Sequence, residues 1–274
     1  MSMSTLESAN VLRQIAGVVS QAVIAVDFDG TVTPISPHPA DSVPNQTVLD
    51  QLSRLARTGA RIAVITGRSA TSAVEVGRLA QIPGVVVEGL YGAERWHDGN
   101  LATRQTPEGV LALRVDLPPL VARLVADPQV WIEDKRLSLV VHARLTKDPD
   151  AVLGTLREPI SKLAREHGME VRPGAEVLEI CIPGIDKASA VRRVVNDETE
   201  ALVYIGDDVG DLPAFAAVRQ WRERTGRPGL VVGVVPGPDS PIAGVADLEV
   251  SDTHAVGVLL AALAPVPDLT GPLS

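Results

Sequence analysis

Short apolar runs alternate with amphipathic stretches over the first ninety residues, and few folds accommodate that rhythm. Residues 22–26, 61–65 and 85–88 are built from Val, Ile and Ala except for Arg61 and Glu88 at the run ends, whereas 45–57 and 70–79 carry apolar residues at helical spacing. Strands with such near-continuous apolar runs are buried on both faces, and strand–helix–strand repetition with right-handed crossovers places them parallel in one sheet. The rhythm resumes at 201–205, 230–235 and 247–250 and closes with a helix over 255–263.

The interval between differs in character. Residues 127–144 read as two strands around a turn at Lys135-Arg136, followed by a helix over 149–168 and a second strand pair at 170–172 and 176–182. Strand pairs in tight succession imply antiparallel geometry. The expected organisation is α/β: a doubly wound core from residues 1–103 and 183–274, with a smaller α/β domain inserted at 104–182. Pro107, Pro118 and Pro119 near the start of the insertion, and Pro183-Gly184 at its end, suit hinges. Residues 265–274 read as a loose tail.

Composition narrows the partners. A formal net charge of -9 over 274 residues, with no Lys/Arg run, disfavours nucleic acid and anionic membrane. A small phosphate ester still fits, because a local cluster of cations overrules a screened global field. Aromatic residues make up only 3% of the chain, so the core must be aliphatic and stacking platforms for bases or sugars are disfavoured. One cysteine, Cys181, excludes an internal disulfide framework and points to a reducing cytoplasm. Glu7, Asn10, Arg13 and Gln14 interrupt the N-terminal segment, so a signal peptide is not expected there. Leu6, Val11, Leu12, Ile15, Val18 and Val19 instead roughly share one helical face. The apolar run at 255–264 is too short to span about 30 Å of hydrocarbon.

Four segments carry chemistry, each at a strand exit or helix start. Val26-Asp27-Phe28-Asp29-Gly30-Thr31 sets two carboxylates one residue apart at the end of a buried strand. Unpaired acids there cost several kcal/mol unless a cation faces them, and Mg²⁺ suits hard carboxylate and phosphate oxygens; the plainer reading is an Asp-Gly turn. Thr66-Gly67-Arg68-Ser69 follows the second strand, where a hydroxyl and consecutive N–H groups can hold phosphate oxygens, or where Thr66 or Ser69 merely caps the next helix. Lys187 opens a helix, where a cation opposes the dipole unless it faces anions; a solvated lysine is the alternative. Gly206-Asp207-Asp208-Val209-Gly210-Asp211 places three more acids after an apolar strand, a cation site or else a loop of solvated acids.

In order and type, these segments resemble the four motifs of the haloacid dehalogenase superfamily. The resemblance implies a HAD-like parallel-sheet core with a C2-type cap and the following roles. Asp27 is the nucleophile that becomes an aspartyl phosphate, and Asp29 is general acid and then base. Thr66 and Lys187 hold the transferring phosphoryl group. Mg²⁺ is bound by Asp27, Asp207 and the main-chain carbonyl of Asp29, with Asp208 and Asp211 orienting ligands or waters. Ala188 stands where related chains usually have glycine.

The inserted domain narrows the resemblance to the trehalose-6-phosphate phosphatases. Glu133-Asp134-Lys135 and His142-Ala143-Arg144 resemble that family's Glu-x-Lys and His-x-Arg patterns, joined by Tyr91-Gly92-Ala93-Glu94 and Val177-Leu178-Glu179. It implies that Arg68, Glu94, Glu133, Lys135, His142, Arg144 and Glu179 contact substrate; by period two, His142 and Arg144 are expected on one strand face. Taken singly, Glu133, Lys135 and His142 also read as ordinary surface residues. Cys181 departs from the pattern, where the family usually carries Arg or Lys, and reads as a small apolar filler. Gly210-Asp211-Leu212 departs where relatives have Thr-Asp-Glu. The implied activity is Mg²⁺-dependent hydrolysis of trehalose 6-phosphate by a cytoplasmic, monomeric enzyme whose cap closes over its substrate. The alternatives are another sugar phosphate, such as sucrose phosphate or a glycosylglycerate phosphate, and a silent sugar-phosphate-binding regulator.

Overall fold

The structure is a computed structural model and describes residues 5–36, 42–174 and 176–264. In chain order the elements are α1 (Thr5–Gly17), β1 (Ala22–Val26), α2 (Gln46–Arg57), β2 (Arg61–Ile65), α3 (Ala70–Gly77), β3 (Val86–Gly89), β4 (Glu94–His97), β5 (Asn100–Thr103) and α4 (Glu108–Leu124). There follow β6 (Trp131–Asp134), β7 (Leu139–His142), α5 (Pro149–Glu166), β8 (Glu170–Gly174), β9 (Val177–Cys181), α6 (Lys187–Val194), β10 (Ala201–Gly206), α7 (Leu212–Thr225), β11 (Gly229–Val234), β12 (Leu248–Val250) and α8 (Thr253–Leu263). They form two compact units, Met1–Ala102 with Asp186–Ser274, and Thr103–Ile185. The expected tail at 265–274 lies outside the described residues.

The larger unit holds an eight-stranded sheet in the order β12-β11-β10-β1-β2-β3-β4-β5. From β12 to β3 every pairing is parallel, and β4 joins β3 antiparallel. Alternation along each strand loads both faces. Ile24, Val26, Ile62, Val64, Val203 and Ile205 pack with Leu49, Leu52, Val256 and Leu260 on one side. Val23, Ala25, Ile65, Leu202 and Tyr204 pack with Val191, Phe215, Val218 and Trp221 on the other. At about 1.5–3 kcal/mol for each large aliphatic side chain fully buried, this two-sided core is what makes the central strands the most rigid platform available. The chain winds outward from β1 through β2 to β3, then returns to β10 on the other flank of β1 and winds outward again. The carboxyl ends of β1 and β10 therefore flank a topological switch point, where open α/β sheets bind ligands.

The smaller unit is a four-stranded antiparallel sheet, β6-β7-β9-β8, with α4 and α5 on one face. Leu139, Val141, Leu178 and Ile180 meet Leu113, Leu117, Leu156 and Ile160 in its core. The register puts Trp131, Glu133, His142, Glu179, Cys181, Glu170 and Arg172 on the opposite sheet face.

Two expectations are corrected. Pro118 and Pro119 are not hinges: both sit exposed inside the 17-residue helix α4. An interior proline costs a helix about 3 kcal/mol, but Val110, Leu113, Leu117 and Val121 form a buried stripe whose burial outweighs that penalty. Secondly, β7 ends at His142, so the period-two argument does not reach Arg144, which lies in the following turn, closed by Thr146 N–H donating to the Ala143 carbonyl at 2.8 Å. The hairpin turn at Lys135-Arg136 is present, with Arg136 in the left-handed region (φ 71°) and its N–H donating to Asp134 Oδ1 at 2.7 Å.

Candidate active site

Asp27 is the first residue beyond β1, and its N–H donates to the Ile205 carbonyl of β10 at 2.8 Å, which ties the two strand ends together. Its side chain is buried beside that of Lys187. Lys187 is the first residue of α6, whose start is fixed by a reciprocal cap: Ser189 N–H donates to Asp186 Oδ1 at 2.7 Å and Asp186 N–H to Ser189 Oγ at 3.1 Å. Lys187 Nζ donates to Asp27 Oδ1 and to Asp211 Oδ1, each at 2.7 Å. The lysine is therefore a buried bridge between acids, not a solvated side chain. Burial alone would depress its pKa; the adjoining Asp211 and Asp27 carboxylates reverse that and hold it well above the ordinary lysine value.

Asp211 anchors this bridge from the opposite side. It is wholly buried and accepts four hydrogen bonds: from Lys187, from Tyr204 Oη at 2.6 Å, and from the N–H groups of Asp207 and Asp208 at 2.9 and 3.1 Å. A Cβ on Gly206 would stand 2.3 Å from the Asp211 carboxyl carbon, so only glycine lets that side chain fold back under its own loop. Tyr204 is a site residue that motif reading missed. Its signal was a tyrosine inside an otherwise aliphatic buried strand, where a hydroxyl needs a partner.

Carboxylate oxygens of Asp27, Asp207 and Asp211 all lie within 4.8 Å of one another. Burial, reinforced by Asp211 and Asp208, pushes Asp207 up to about 7, and burial also drives Asp27 well above the carboxylate range despite Lys187. Asp208 is raised by the same desolvation. Four acids around one lysine form a donor set that fits a hard divalent cation. Because both Asp211 oxygens are already engaged, Asp27 and Asp207 are the residues that would hold it. A Cβ on Gly30 would stand 2.0 Å from Asp207 Oδ2, and Gly30 itself has φ 77°, so the turn after Asp29 admits only glycine twice over.

Thr66 is buried at the end of β2, its N–H donating to the Glu88 carbonyl at 3.0 Å. Ser69, not Thr66, caps α3, accepting from Ser72 N–H at 3.3 Å. Thr66 Oγ1 accepts the Arg68 N–H at 3.1 Å, which leaves its own proton to donate. Leu90 and Tyr91 are consecutive left-handed residues (φ 47° and 57°) that brace this loop, Tyr91 N–H donating to the Thr66 carbonyl at 2.9 Å and Leu90 N–H to that of Arg68 at 2.7 Å. Two such residues together cost about 2–4 kcal/mol, strain of the kind held at working loops. Arg68 pairs with the Asp29 carboxylate. Glu94 accepts the Ala70 N–H at 2.8 Å and so serves the start of α3. Glu88, which sequence reading did not single out, is buried between Arg95 at 2.6 Å and Arg193 at 2.9 Å.

In the smaller unit, the Glu133 carboxylate meets His142 Nε2 at 2.9 Å, and the His142 ring stacks on Trp131 with centroids 4.3 Å apart. Burial holds the His142 pKa below the usual imidazole value although Glu133 opposes it. An aromatic platform thus exists on this face despite the scarcity of aromatics. Glu179 accepts from Ser138 Oγ at 2.9 Å, and Cys181 is buried with Sγ 3.9 Å from Glu170 Oε1. The cation beside Glu179 is Arg172, its cross-strand partner, which also pairs with Glu170. Arg144 is exposed and Lys135 half-buried.

Parallel sheet, switch-point acids and inserted α/β unit together define a haloacid-dehalogenase-like hydrolase. Solved structures share the fold: the chain superposes on the C-terminal domain of the Candida albicans trehalose-6-phosphate phosphatase with a TM-score of 0.74 at 19% identity, covering 96% of this chain and 97% of that one. A haloacid dehalogenase-like hydrolase from Bacteroides thetaiotaomicron follows at 0.60 and 16%, covering 88% and 98%. The family model for trehalose-phosphatase matches residues 25–252, and the chain belongs to that family. Among curated relatives, a trehalose-6-phosphate phosphatase of Escherichia coli (strain K12) is 28% identical over 71% of this chain and 72% of its own length. A trehalose-phosphate phosphatase of Mycobacterium avium (strain 104) is 31% identical over 70% and 50%. The match thus takes in about half the length of the mycobacterial relative. Among the described residues, no helix is long and apolar enough to cross a membrane.

Proposed function

We propose that this protein hydrolyses trehalose 6-phosphate to trehalose and inorganic phosphate through an aspartyl phosphate on Asp27. The observation that carries the reading is Lys187, bridging Asp27 and Asp211 at 2.7 Å each at the sheet's switch point. It holds one Asp27 oxygen still, leaves the other to attack phosphorus, and offers positive charge where the phosphoryl oxygens gain negative charge. As the Asp27–phosphorus bond forms and the ester bond breaks, Asp29 gives the departing sugar oxygen its proton. It then takes a proton from the water that cleaves the aspartyl phosphate, which frees phosphate and restores Asp27. The Thr66 hydroxyl, its acceptor side occupied by Arg68 N–H, donates to a phosphoryl oxygen. A divalent cation, Mg²⁺ in our reading, would be held by Asp27 and Asp207 and would neutralise phosphoryl charge.

Glu133, Lys135, His142, Arg144 and Glu179 of the smaller unit are the proposed sugar-reading residues, with names of relatives as the support for trehalose 6-phosphate. A cytoplasmic site of action suits the lone cysteine. The test is phosphate release from trehalose 6-phosphate, sucrose 6-phosphate and glucose 6-phosphate with Mg²⁺, comparing wild type with Asp27→Asn. Selective, Asp27-dependent release from trehalose 6-phosphate is expected. Activity confined to another ester would refute the substrate, and activity surviving Asp27→Asn would refute the nucleophile.

A further inference from the structure

Arg68 directly follows Thr66-Gly67 at the end of β2, a place from which an arginine could reach a phosphate. Its guanidinium is committed elsewhere. Nε donates to Asp29 Oδ2 at 2.8 Å and Nη2 to Asp29 Oδ1 at 2.6 Å, the parallel two-bond geometry that fixes a carboxylate in plane as well as in place. Nη2 also reaches Ser42 Oγ at 3.1 Å, and the guanidinium carbon lies 5.1 Å from the Phe28 ring centre. The backbone of Arg68 is held at both ends, its N–H by Thr66 Oγ1 and its carbonyl by Leu90 N–H. The arginine is 13% exposed and anchored on every side, whereas the Asp29 side chain is 42% exposed. Both hydrogen bonds that the Asp29 carboxylate makes among the described residues come from Arg68. Without them, an aspartate that open to solvent would sample several rotamers.

We infer that Arg68 is a positioning residue for Asp29 and not a ligand of the phosphoryl group. It is a bracket that aims the proton-transferring carboxylate, and the further contacts to Ser42, Phe28, Thr66 and Leu90 keep the bracket itself from moving. The inference rests on the proposed role of Asp29. Meeting a phosphate through the same Nε–Nη2 edge would require Arg68 to surrender two charge-assisted bonds and the Ser42 contact, whereas the Lys187 ammonium carries a third N–H beside the two given to Asp27 and Asp211.

The experiment separates steps that need Asp29 from steps that do not. Expulsion of an alkoxide sugar oxygen needs a proton; expulsion of p-nitrophenolate does not. Arg68→Ala should lower kcat on trehalose 6-phosphate about a hundredfold, the scale of a misplaced catalytic group. Single-turnover release of p-nitrophenolate from p-nitrophenyl phosphate, and inhibition by inorganic phosphate, should each stay within about threefold of wild type, since neither draws on Asp29. Added guanidinium should recover part of the lost kcat. Arg68→Lys, which keeps the charge and loses the fork, should fall with Arg68→Ala in kcat, and it supplies the comparison if the alanine variant does not fold. Loss of p-nitrophenolate release and of phosphate inhibition by tenfold or more would overturn the inference, because that is the signature of a lost phosphate ligand. Wild type that turns over p-nitrophenyl phosphate but not trehalose 6-phosphate would instead refute the sugar assignment; kcat is then read on an alkyl phosphate that it does turn over.

Discussion

With no divalent cation bound, the acid cluster should make this protein less stable as pH rises, the reverse of the usual acid-denaturation trend. Asp207 is held at about 7 in the folded chain against 3.8 for the free side chain, chiefly by burial and then by Asp211 and Asp208. Between those two values the folded protein binds more protons than the unfolded one, so the derivative of unfolding free energy with pH is negative. Stability is therefore complete below about pH 4 and lost as pH passes 7. The interval of about 3 pH units, at 1.36 kcal/mol each, amounts to about 4 kcal/mol at full effect. About two thirds of that falls between pH 5 and pH 8, which at roughly 2–4 °C per kcal/mol for a chain of this size gives a fall in Tm of about 5–11 °C in EDTA. A divalent cation held by these acids would substitute for the missing proton, so Mg²⁺ should raise Tm strongly at pH 8 and weakly at pH 5. The assay is thermal unfolding at both pH values, with EDTA or with Mg²⁺, for wild type and Asp207→Asn. The asparagine variant cancels contributions from groups elsewhere. An equal pH response in both proteins, or a Mg²⁺ shift independent of pH, would refute the reasoning.

Lys187→Met should leave the buried Asp27 and Asp211 carboxylates without their cation, costing about 3–5 kcal/mol of stability at pH 8 and abolishing phosphate release, read by denaturant melts and steady-state kinetics. Gly30→Ala combines a left-handed φ with a Cβ placed against Asp207, so it should weaken Mg²⁺ affinity, by calorimetry, at least tenfold while leaving the smaller unit's spectroscopic signature intact. Pro118→Ala should raise the melting midpoint by the equivalent of about 1–3 kcal/mol, because it restores a backbone donor on an exposed face of α4 and disturbs no buried contact.

The superfamily motifs were legible because each lies within a few residues of an apolar strand, where local sequence sets both the strand and its exit. Asp27, Thr66, Lys187 and Asp207 come to the ends of β1, β2, α6 and β10, in the order the chain announces. Tyr204 and Glu88 were harder to see, because a polar residue inside an apolar strand declares that it needs a partner without naming one. Both partners lie in other elements or loops, Asp211 beyond β10 and Arg193 on α6. Helix α4 was hidden by Pro118-Pro119, a strong local breaker that was outweighed by a buried stripe whose other half is contributed by β7, β9 and α5. The reach of His142 toward Arg144 failed for a similar reason: strand periodicity says which residues share a face but not where pairing stops.

The sequence by itself determined the doubly wound core, the inserted unit and the set of acids that require a cation, since these follow from apolar periodicity and from the cost of burying charge. Only the tertiary structure decided how those acids divide their work. Asp211 spends all its acceptors on Lys187, Tyr204 and two N–H groups, Asp29 is taken by Arg68, and Asp27 and Asp207 remain as the acids that would hold a cation. Residues up to 184 positions apart in the chain, Asp27 and Asp211 at the extremes, share that arrangement. Which carboxylate meets which donor depends on the pairing of strand ends, and no local pattern in the sequence encodes it.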